Sequence, residues 1–209
     1  MSEFGVVVTR RRMCRSFRSD PVDPSLIDTL VDLAVRSPSA GKTQGWHLVV
    51  LEGRETERFW QHAFPPQSRE GFRWPGLFDA PVLALPLADP AAYVARYGEP
   101  DKAATGLGGG AHAWPTPYWT VDASMAVMTL LHAAEDHGLG ALLFAVFNGA
   151  EAVRDELGIP ADLQLLGAVA LGWPDDTATA AGASVRRPRR TAAEVIHRGR
   201  WNQPTGSGA

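Results

Sequence analysis

The sequence predicts an α+β or α/β fold formed as a single unit, and three observations support this prediction. The 209 residues are 45% apolar, which is enough for one domain with a buried core but short for two domains. Apolar runs of strand length alternate along the chain with segments of helical period. No segment repeats another. We therefore expect residues 1–209 to form one domain.

Helices are predicted where apolar residues recur at helical spacing between start and stop signals. In the first of them, Asp23 is the predicted N-cap and Pro24 takes the first helical position. Asp122 is predicted to cap the longest helix, which Gly138 ends, and Gly158 closes the last helix. The predicted helices are residues 20–37, 54–62, 122–137 and 150–157.

Strands are predicted at short apolar runs, namely residues 46–51, 81–87, 141–146 and 165–171. Pro81 and Pro86 have no N–H to donate to a neighbour, which predicts that 81–87 lies at an edge or an end of the sheet. Residues 98–118 are rich in glycine and proline and are predicted to form a long loop. The tail at about 202–209 is predicted to be disordered.

The charge of the chain is small overall but unevenly distributed. The net charge of −3 gives no general attraction to nucleic acid, yet 11 of the 18 arginines lie in residues 10–18 and 186–200. Two basic ends on a mildly acidic body predict a local anion site. A nucleic-acid-binding surface is the competing interpretation of the same residues.

Cysteine usage and the N-terminus indicate a cytoplasmic protein. A single cysteine, Cys14, excludes an internal disulfide and is typical of a reducing compartment. The N-terminus has neither the apolar run nor the cleavage site of a signal peptide. No apolar stretch reaches the length of a membrane span, so no membrane partner is expected.

The N-terminal run of arginines is the strongest local signal. Arginine binds phosphate through two parallel N–H groups and keeps its charge. Arg11, Arg12 and Arg15 would converge on one anion if the segment turns, and a solvated basic end is the alternative. Cys14, between these arginines, is expected to act as a spacer rather than as a nucleophile.

Residues 37–46 link the first helix to a strand through small residues, which let backbone amides approach a planar ligand. Ser39 and Gln44 are suited to hydrogen-bond the polar edges of such a ligand, and an ordinary polar turn is the alternative. The segment is not a P-loop, because the first glycine of that motif is missing and a helix precedes it. Residues 106–111 are rejected as a dinucleotide fingerprint, because Pro115 and Pro117 forbid the helix that should follow.

Metal and hydrolase sites are not indicated. His132 and His137 are five residues apart and do not share a helix face. The chain has no cluster of cysteine and histidine and no G-x-S-x-G motif. We expect no metal site and no side chain acting as nucleophile or general base.

In order and spacing, these segments resemble the nitroreductase family of flavoproteins. Residues 11–17 (RRMCRSF) look like the family's R-R-S-x-R-x-F, and residues 37–46 (SPSAGKTQGW) are similar to its A-P-S-x-x-N-x-Q-P-W. Four further blocks follow in the family's order, leaving about 54–118 unassigned. They are Pro21-Val22, Asp122 with Gly138-Leu139-Gly140, Gly158-Ile159-Pro160 with Gly172-Trp173-Pro174, and Arg187-Pro188-Arg189 before Glu194-Val195-Ile196-His197.

The resemblance implies an α+β fold with a mixed, mostly antiparallel sheet surrounded by helices, in an interlocked homodimer with two FMN sites at the interface. It implies that hydride passes from NADH or NADPH through flavin N5 to a nitroaromatic, a quinone or a similar small acceptor. The cofactor carries the chemistry, so no catalytic acid or base is expected. Dehalogenation, dehydrogenation, flavin fragmentation and non-catalytic flavin storage are the alternatives within this resemblance.

The resemblance also assigns residues to the cofactor. Arg11, Arg12 and Arg15 would hold FMN, Arg187 and Arg189 would complete its phosphate site, and Arg15 would favour the reduced ring. The other expected FMN-binding residues are Met13, Pro38, Ser39, Ala40, Lys42, Gln44, Leu139 and Gly140, with Pro38 and Ser39 contributed by the other subunit. The expected substrate pocket is Trp114, Tyr118 and Trp119.

Three positions depart from the family pattern. Lys42 stands in place of asparagine, Gly45 in place of proline and Met13 in place of serine. Met13 loses a hydroxyl but keeps its backbone amide. Lys42 adds a positive charge close to the expected ring position, so it is expected either to raise the flavin's reduction potential or to point to solvent.

Overall fold

The computed structural model describes residues 2–175 and 187–201. The chain divides into two compact units, Met1–Ala178 and Thr179–Ala209. The single-domain expectation stays a prediction, and the predicted disordered tail at 202–209 lies outside the described residues. The sheet and the first seven helices belong to the first unit.

The first unit is built on one antiparallel sheet. Its strands are β1 (Trp46–Glu52), β2 (Val82–Ala88), β3 (Gly140–Phe144), β4 (Gln164–Leu165) and β5 (Ala168–Gly172). They are arranged in the order β1-β2-β5-β3, and β4 also pairs with β2. Every pairing between them is antiparallel.

Among the described residues of the first unit, seven α-helices accompany the sheet. They are α1 (Glu3–Arg10), α2 (Pro24–Ala34), α3 (Thr56–Ala63), α4 (Pro66–Arg69), α5 (Pro90–Tyr97), α6 (Tyr118–Asp136) and α7 (Ala150–Leu157). The predicted start of α2 is confirmed, since the Asp23 side chain accepts from the Ser25 amide and Pro24 is the first helical residue. The predicted end of α7 is also confirmed, because Gly158 adopts the left-handed conformation.

The core lies on both faces of the sheet, as alternation along β2 shows. Leu83 and Leu85 pack in the cluster that contains Trp60 of α3. Val82 and Ala84 point to the opposite face, into the cluster built from α2 and α6. Because helices cover both faces, all seven residues of β2 are buried.

The prediction that 81–87 is an edge or end strand was wrong, since β2 lies between β1 and β5. Pro86 is tolerated there because β4 and β5 are interrupted opposite it, so no ladder N–H is needed at that point. Its carbonyl still accepts from the Leu166 amide at 3.0 Å. The interruption also splits the predicted strand 165–171, and Gly167 (φ +140°) lies in it against the Phe144 carbonyl oxygen.

Asp122 does not cap the longest helix, which was another wrong prediction. α6 begins at Tyr118, one turn earlier, and Asp122 is buried inside it. Its carboxylate accepts from groups outside the helix, which a local capping pattern does not reveal.

The predicted loop is confirmed: from Gly98 to Pro117, all of it described, the chain forms only three short 3-10 turns.

Helix α5 was not predicted, although Asp89 and Pro90 repeat the start signal of Asp23 and Pro24. The Asp89 side chain accepts from the Ala92 amide at 3.1 Å.

Among the described residues, no helix is both long and apolar enough to span a membrane.

Candidate functional site

The N-terminal segment lies along the edge strand β3. Met13 forms a parallel bridge with Ala141, and the Cys14 amide donates to the Ala141 carbonyl at 2.9 Å. A Cβ at Gly140 would lie 2.7 Å from the Cys14 sulfur, so these two residues pack in direct contact. This contact places the arginine run beside β3, and the spacer role expected for Cys14 stays a prediction.

The three arginines of this segment differ in what their guanidinium groups contact. Arg11 Nη1 is buried and has no hydrogen-bond partner among the described residues. Arg12 Nη1 instead donates to backbone carbonyls at the end of α1, including that of Thr9. Arg15 Nη1 donates to the Met13 carbonyl at 3.3 Å. Arg11 is therefore the arginine of the three with a buried donor left for an anion.

Trp74 is a residue at this site that sequence reasoning missed. The Arg15 guanidinium carbon lies 5.1 Å from the centroid of the Trp74 ring, within the range of a cation–π contact. The segment around Trp74 is attached to the N-terminal segment, since the Phe17 amide donates to the Gly76 carbonyl at 2.9 Å. The aromatic run FRWPGLF was the available signal, but it lay in the unassigned part of the sequence.

The second group of predicted residues forms a compact turn, Ser39–Gly45, immediately before β1. Ser39 closes it twice, because its carbonyl accepts from the Lys42 amide and its hydroxyl accepts from the Gln44 amide, both at 2.9 Å. Lys42 and Gln44 both have a φ of +54°, which is rare for residues with a side chain. The side chains of Lys42 and Gln44 are exposed.

Behind this turn lies a buried polar pair. Asp122 Oδ2 accepts from the Ala40 amide at 2.7 Å and from the Tyr93 hydroxyl at 2.7 Å. Burial, and next the hydrogen bond to Asp122, raise the pKa of Tyr93 well above its usual value. The tyrosine therefore keeps its proton and remains a donor.

The three aromatic residues expected to form the substrate pocket belong to the cluster around Tyr93. Trp114 is buried, and its Nε1 donates to the Leu107 carbonyl at 3.0 Å. Trp119 packs against Tyr93 and Trp114. Tyr118, at the start of α6, is 43% exposed and is the most accessible of the three. Their contact with a substrate stays a prediction.

Leu139 and Gly140 are buried beside the N-terminal segment. The Leu139 amide donates to the Ala134 carbonyl at 2.8 Å, and Gly140 pairs with Gly172 in the sheet. The Leu139 amide thus already has a partner within the fold. A contact of either residue with a cofactor stays a prediction.

The two groups of residues lie at opposite corners of the sheet. The turn precedes Trp46 at one end of β1, whereas Met13 pairs at the far end of β3, level with Glu52. Three strand spacings and six residues along a strand separate these corners, a distance of about 25 Å. Within one chain the arginine segment and the turn are therefore far apart.

The second unit contains the other predicted phosphate ligands. Arg187 and Arg189 are exposed and precede the short helix α8 (Ala192–Val195). That helix begins with a capping box in which Glu194 accepts from the Thr191 amide at 2.6 Å.

The described residues of the two units contain no group of three side chains able to hold a metal ion.

Solved structures identify the class of fold. A protein from Exiguobacterium sibiricum, described as a nitroreductase in complex with FMN, superposes with a TM-score of 0.72 at 15% sequence identity. The match covers 94% of this chain and 97% of that protein. The antiparallel sheet with helices on both faces is thus the nitroreductase fold, as the sequence resemblance predicted.

Sequence comparisons identify the family. The model of the nitroreductase family matches residues 8–173, and the chain belongs to that family of oxidoreductases. An Archaeoglobus fulgidus protein named as an NADH dehydrogenase/NAD(P)H nitroreductase is 28% identical over 205 residues, covering 96% of this chain and all of that protein. The 5,6-dimethylbenzimidazole synthase of Rhodospirillum rubrum is also 28% identical, over 178 residues and 78% of each chain.

Proposed function

We propose that this protein is an FMN-dependent homodimer that oxidises NADH or NADPH and reduces a small acceptor such as a nitroaromatic or a quinone. The observation that carries the proposal is the pair of separated segments, the arginine run beside β3 and the turn before β1. Both match the family's cofactor-binding motifs, and a relative with the same fold is described in complex with FMN.

The phosphate end of FMN fits Arg11. A guanidinium N–H that is buried without a partner is costly, and a phosphate oxygen would satisfy it with a charge-assisted hydrogen bond. Arg187 and Arg189 are proposed to add further charge to the same phosphate.

The ring end of FMN fits Arg15 and the turn Ser39–Gly45. Arg15 is held against Trp74, so its positive charge stays in place and would favour a reduced, negatively charged ring. The side chains of Ser39, Lys42 and Gln44 are proposed to contact the ring edges. FMN, when bound, supplies the ring that takes a hydride from a nicotinamide and passes it on.

The separation of the two segments supports a dimer. A single FMN cannot bridge groups about 25 Å apart by strand geometry, so one subunit would supply the arginines and its partner the turn. α6 presents an apolar stripe for such an interface, because Tyr118, Val121 and Met128 lie on one side of it and are 37–43% exposed.

The reaction beyond hydride transfer is the finer part of the proposal. Relatives of equal identity carry the names of an NAD(P)H nitroreductase and of a 5,6-dimethylbenzimidazole synthase, so identity alone does not choose between acceptor reduction and flavin fragmentation. Acceptor reduction is preferred because the relative covered over its full length carries the NAD(P)H nitroreductase name.

The test begins with the absorbance spectrum of the purified protein and with titration of the flavin-free protein with FMN. We expect a bound flavin spectrum, bleaching on anaerobic addition of NADH or NADPH, and recovery of the spectrum on addition of a nitroaromatic or quinone. Bound FMN that no nicotinamide reduces would indicate flavin storage instead. A colourless protein with salt-sensitive affinity for duplex DNA would overturn the proposal.

A further inference from the structure

The turn Ser39–Gly45 has a backbone that needs external support. Lys42 and Gln44 are both in the left-handed region, which costs of the order of 1 kcal/mol or more for a residue with a side chain. Such a conformation persists only where surrounding contacts hold it. The two hydrogen bonds that Ser39 accepts from the Lys42 and Gln44 amides close the turn but do not attach it to the rest of the fold.

One attachment comes from α6. Asp122 is 3% exposed, and one of its oxygens accepts from both the Ala40 amide and the Tyr93 hydroxyl at 2.7 Å. A buried carboxylate is tolerated only when donors compensate it, so this oxygen has a strong preference for both partners. The pair ties the first residue of the turn's 3-10 segment to the helix.

A second attachment comes from α5. A Cβ at Gly41 would lie 2.9 Å from Tyr97 Cε2, and a Cβ at Gly45 would lie 2.8 Å from Tyr93 Cε2, so both rings pack directly on the turn's backbone. Arg96 Nε donates to the Gly41 carbonyl at 3.0 Å. The other end of the same guanidinium is held by Asp101 through two hydrogen bonds of 2.8 Å.

We infer that Tyr93 and Asp122 are positioning residues for the flavin ring: they hold the turn Ser39–Gly45 in its binding conformation before the flavin arrives. The inference rests on the proposed function. Neither residue belongs to the predicted cofactor contacts. Asp122 acts through the Ala40 amide, and Tyr93 acts through its hydrogen bond to Asp122 and through its ring, which packs on Gly45. Affinity for FMN is therefore expected to depend on the Tyr93 hydroxyl behind the turn.

The test is Tyr93→Phe, which removes the hydroxyl and keeps the ring on Gly45. We expect the dissociation constant for FMN to rise about tenfold, equivalent to 1.4 kcal/mol. Amide hydrogen exchange is measured in parallel on peptides covering residues 39–46 of the flavin-free full chain. Exchange there should become faster in the variant, because the Ala40 attachment is weakened. Asp122→Asn is the second variant, since its amide oxygen keeps both accepted bonds while the charge is lost.

Thr129→Val is the matched control. Thr129 lies on α6 and is 2.7 Å from the Ser37 hydroxyl, so it joins the same helix to the same segment just outside the turn. We expect its affinity for FMN within about twofold of wild type, since the lost hydrogen bond lies outside the turn and is only partly buried. If Tyr93→Phe leaves exchange in 39–46 unchanged, or loses no more affinity than the control at equal thermal stability, the positioning role is wrong.

Failure of the proposed function is distinguishable from failure of this inference. A wild-type protein that binds no FMN contradicts the function, whereas the exchange measurement on the flavin-free chain still decides whether Tyr93 orders the turn. Normal FMN binding by wild type with unaltered exchange in Tyr93→Phe contradicts the inference alone.

Discussion

At the scale of single residues, Lys42 is a departure from the family pattern that its own backbone conformation disfavours. It has a φ of +54°, a conformation in which asparagine is several-fold enriched and lysine is not. We expect Lys42→Asn to raise the free energy of unfolding by about 0.5–1 kcal/mol, because asparagine adopts this left-handed backbone conformation at a lower cost than lysine. The measurement is denaturant unfolding of the flavin-free protein.

Lys42→Gln separates the backbone effect from the charge. It removes the ammonium without the left-handed preference of asparagine, so its stability should stay near wild type. If the exposed ammonium tunes the flavin, both variants should lower the reduction potential by some tens of millivolts in a potentiometric titration. Equal potentials in all three proteins would mean that the side chain points to solvent, and equal stabilities would contradict the backbone argument.

Arg189 tests the proposed phosphate site. Hydrogen bonds to charged groups are worth about 1.5–3 kcal/mol, so Arg189→Ala should weaken FMN binding by about tenfold or more. Arg198→Ala in the same unit makes the same change of charge and should alter affinity by less than about twofold. Unchanged affinity in Arg189→Ala, or an equal loss in both variants, would contradict the assignment. Fluorescence titration with FMN measures both.

At the scale of elements, the packing of α5 explains why glycine replaces the family's proline before β1. A Cβ at Gly45 would lie 2.8 Å from the Tyr93 ring, so any larger residue overpacks this contact. We expect Gly45→Ala to cost about 1–3 kcal/mol of unfolding free energy, and Gly45→Pro to destabilise although it restores the family residue.

A double-mutant cycle checks that explanation. In a Tyr93→Leu background the cost of Gly45→Ala should fall by about 1 kcal/mol or more, because the ring is gone. Gly109→Ala is the control, since a Cβ there meets nothing within 4 Å and the residue has no positive φ. A Gly45→Ala cost that is the same in both backgrounds would rule out the ring as its cause.

The contact between α1 and α6 predicts a dependence on pH. His132 of α6 packs edge-on against Phe4 of α1, and burial, together with the nearby Arg11, lowers the pKa of His132. Below its usual pKa of about 6.5 the unfolded chain therefore binds more protons than the folded chain, and stability falls as the pH is lowered.

His132→Gln removes this contribution. Its midpoint of thermal unfolding should vary less than that of wild type when the pH is lowered from about 6.5 to 5. If an anion binds at Arg11, it offsets the arginine's charge and should raise the pKa of His132, which nuclear magnetic resonance detects on adding FMN. An identical pH profile in variant and wild type would contradict the argument.

At the scale of the whole molecule, the proposed dimer is the main prediction. Chains of 22.5 kDa should sediment as a dimer with an obligate interface of the order of 2,000 Å². Val121→Asp places a charge on the exposed stripe of α6 and should yield monomers that lose FMN. Ala152→Asp, on the exposed side of α7, is the control and should leave the dimer intact. Tight FMN binding by a wild-type monomer would contradict the proposal.

Local patterns predicted much of the fold. α2 and α7 carry their start and stop residues within a few positions of the helix, and β1 is an apolar run between turn residues, so neighbouring residues suffice to place them. The start signal of α5 was equally local and was overlooked. The order of the motifs was sufficient to predict the family, which the match over residues 8–173 confirms.

The sequence by itself determined elements such as α2, α7 and β1, the family, and the arginine and turn segments proposed to bind the cofactor, because each depends on residues close together in the chain. Only the tertiary structure decided that β2 is central, that Asp122 serves the turn rather than its own helix, and that Trp74 lies against Arg15. These features depend on pairings between distant segments. The same holds for the distance between the arginine segment and the turn, which follows from strand order and register and leads to the proposal of a two-chain site.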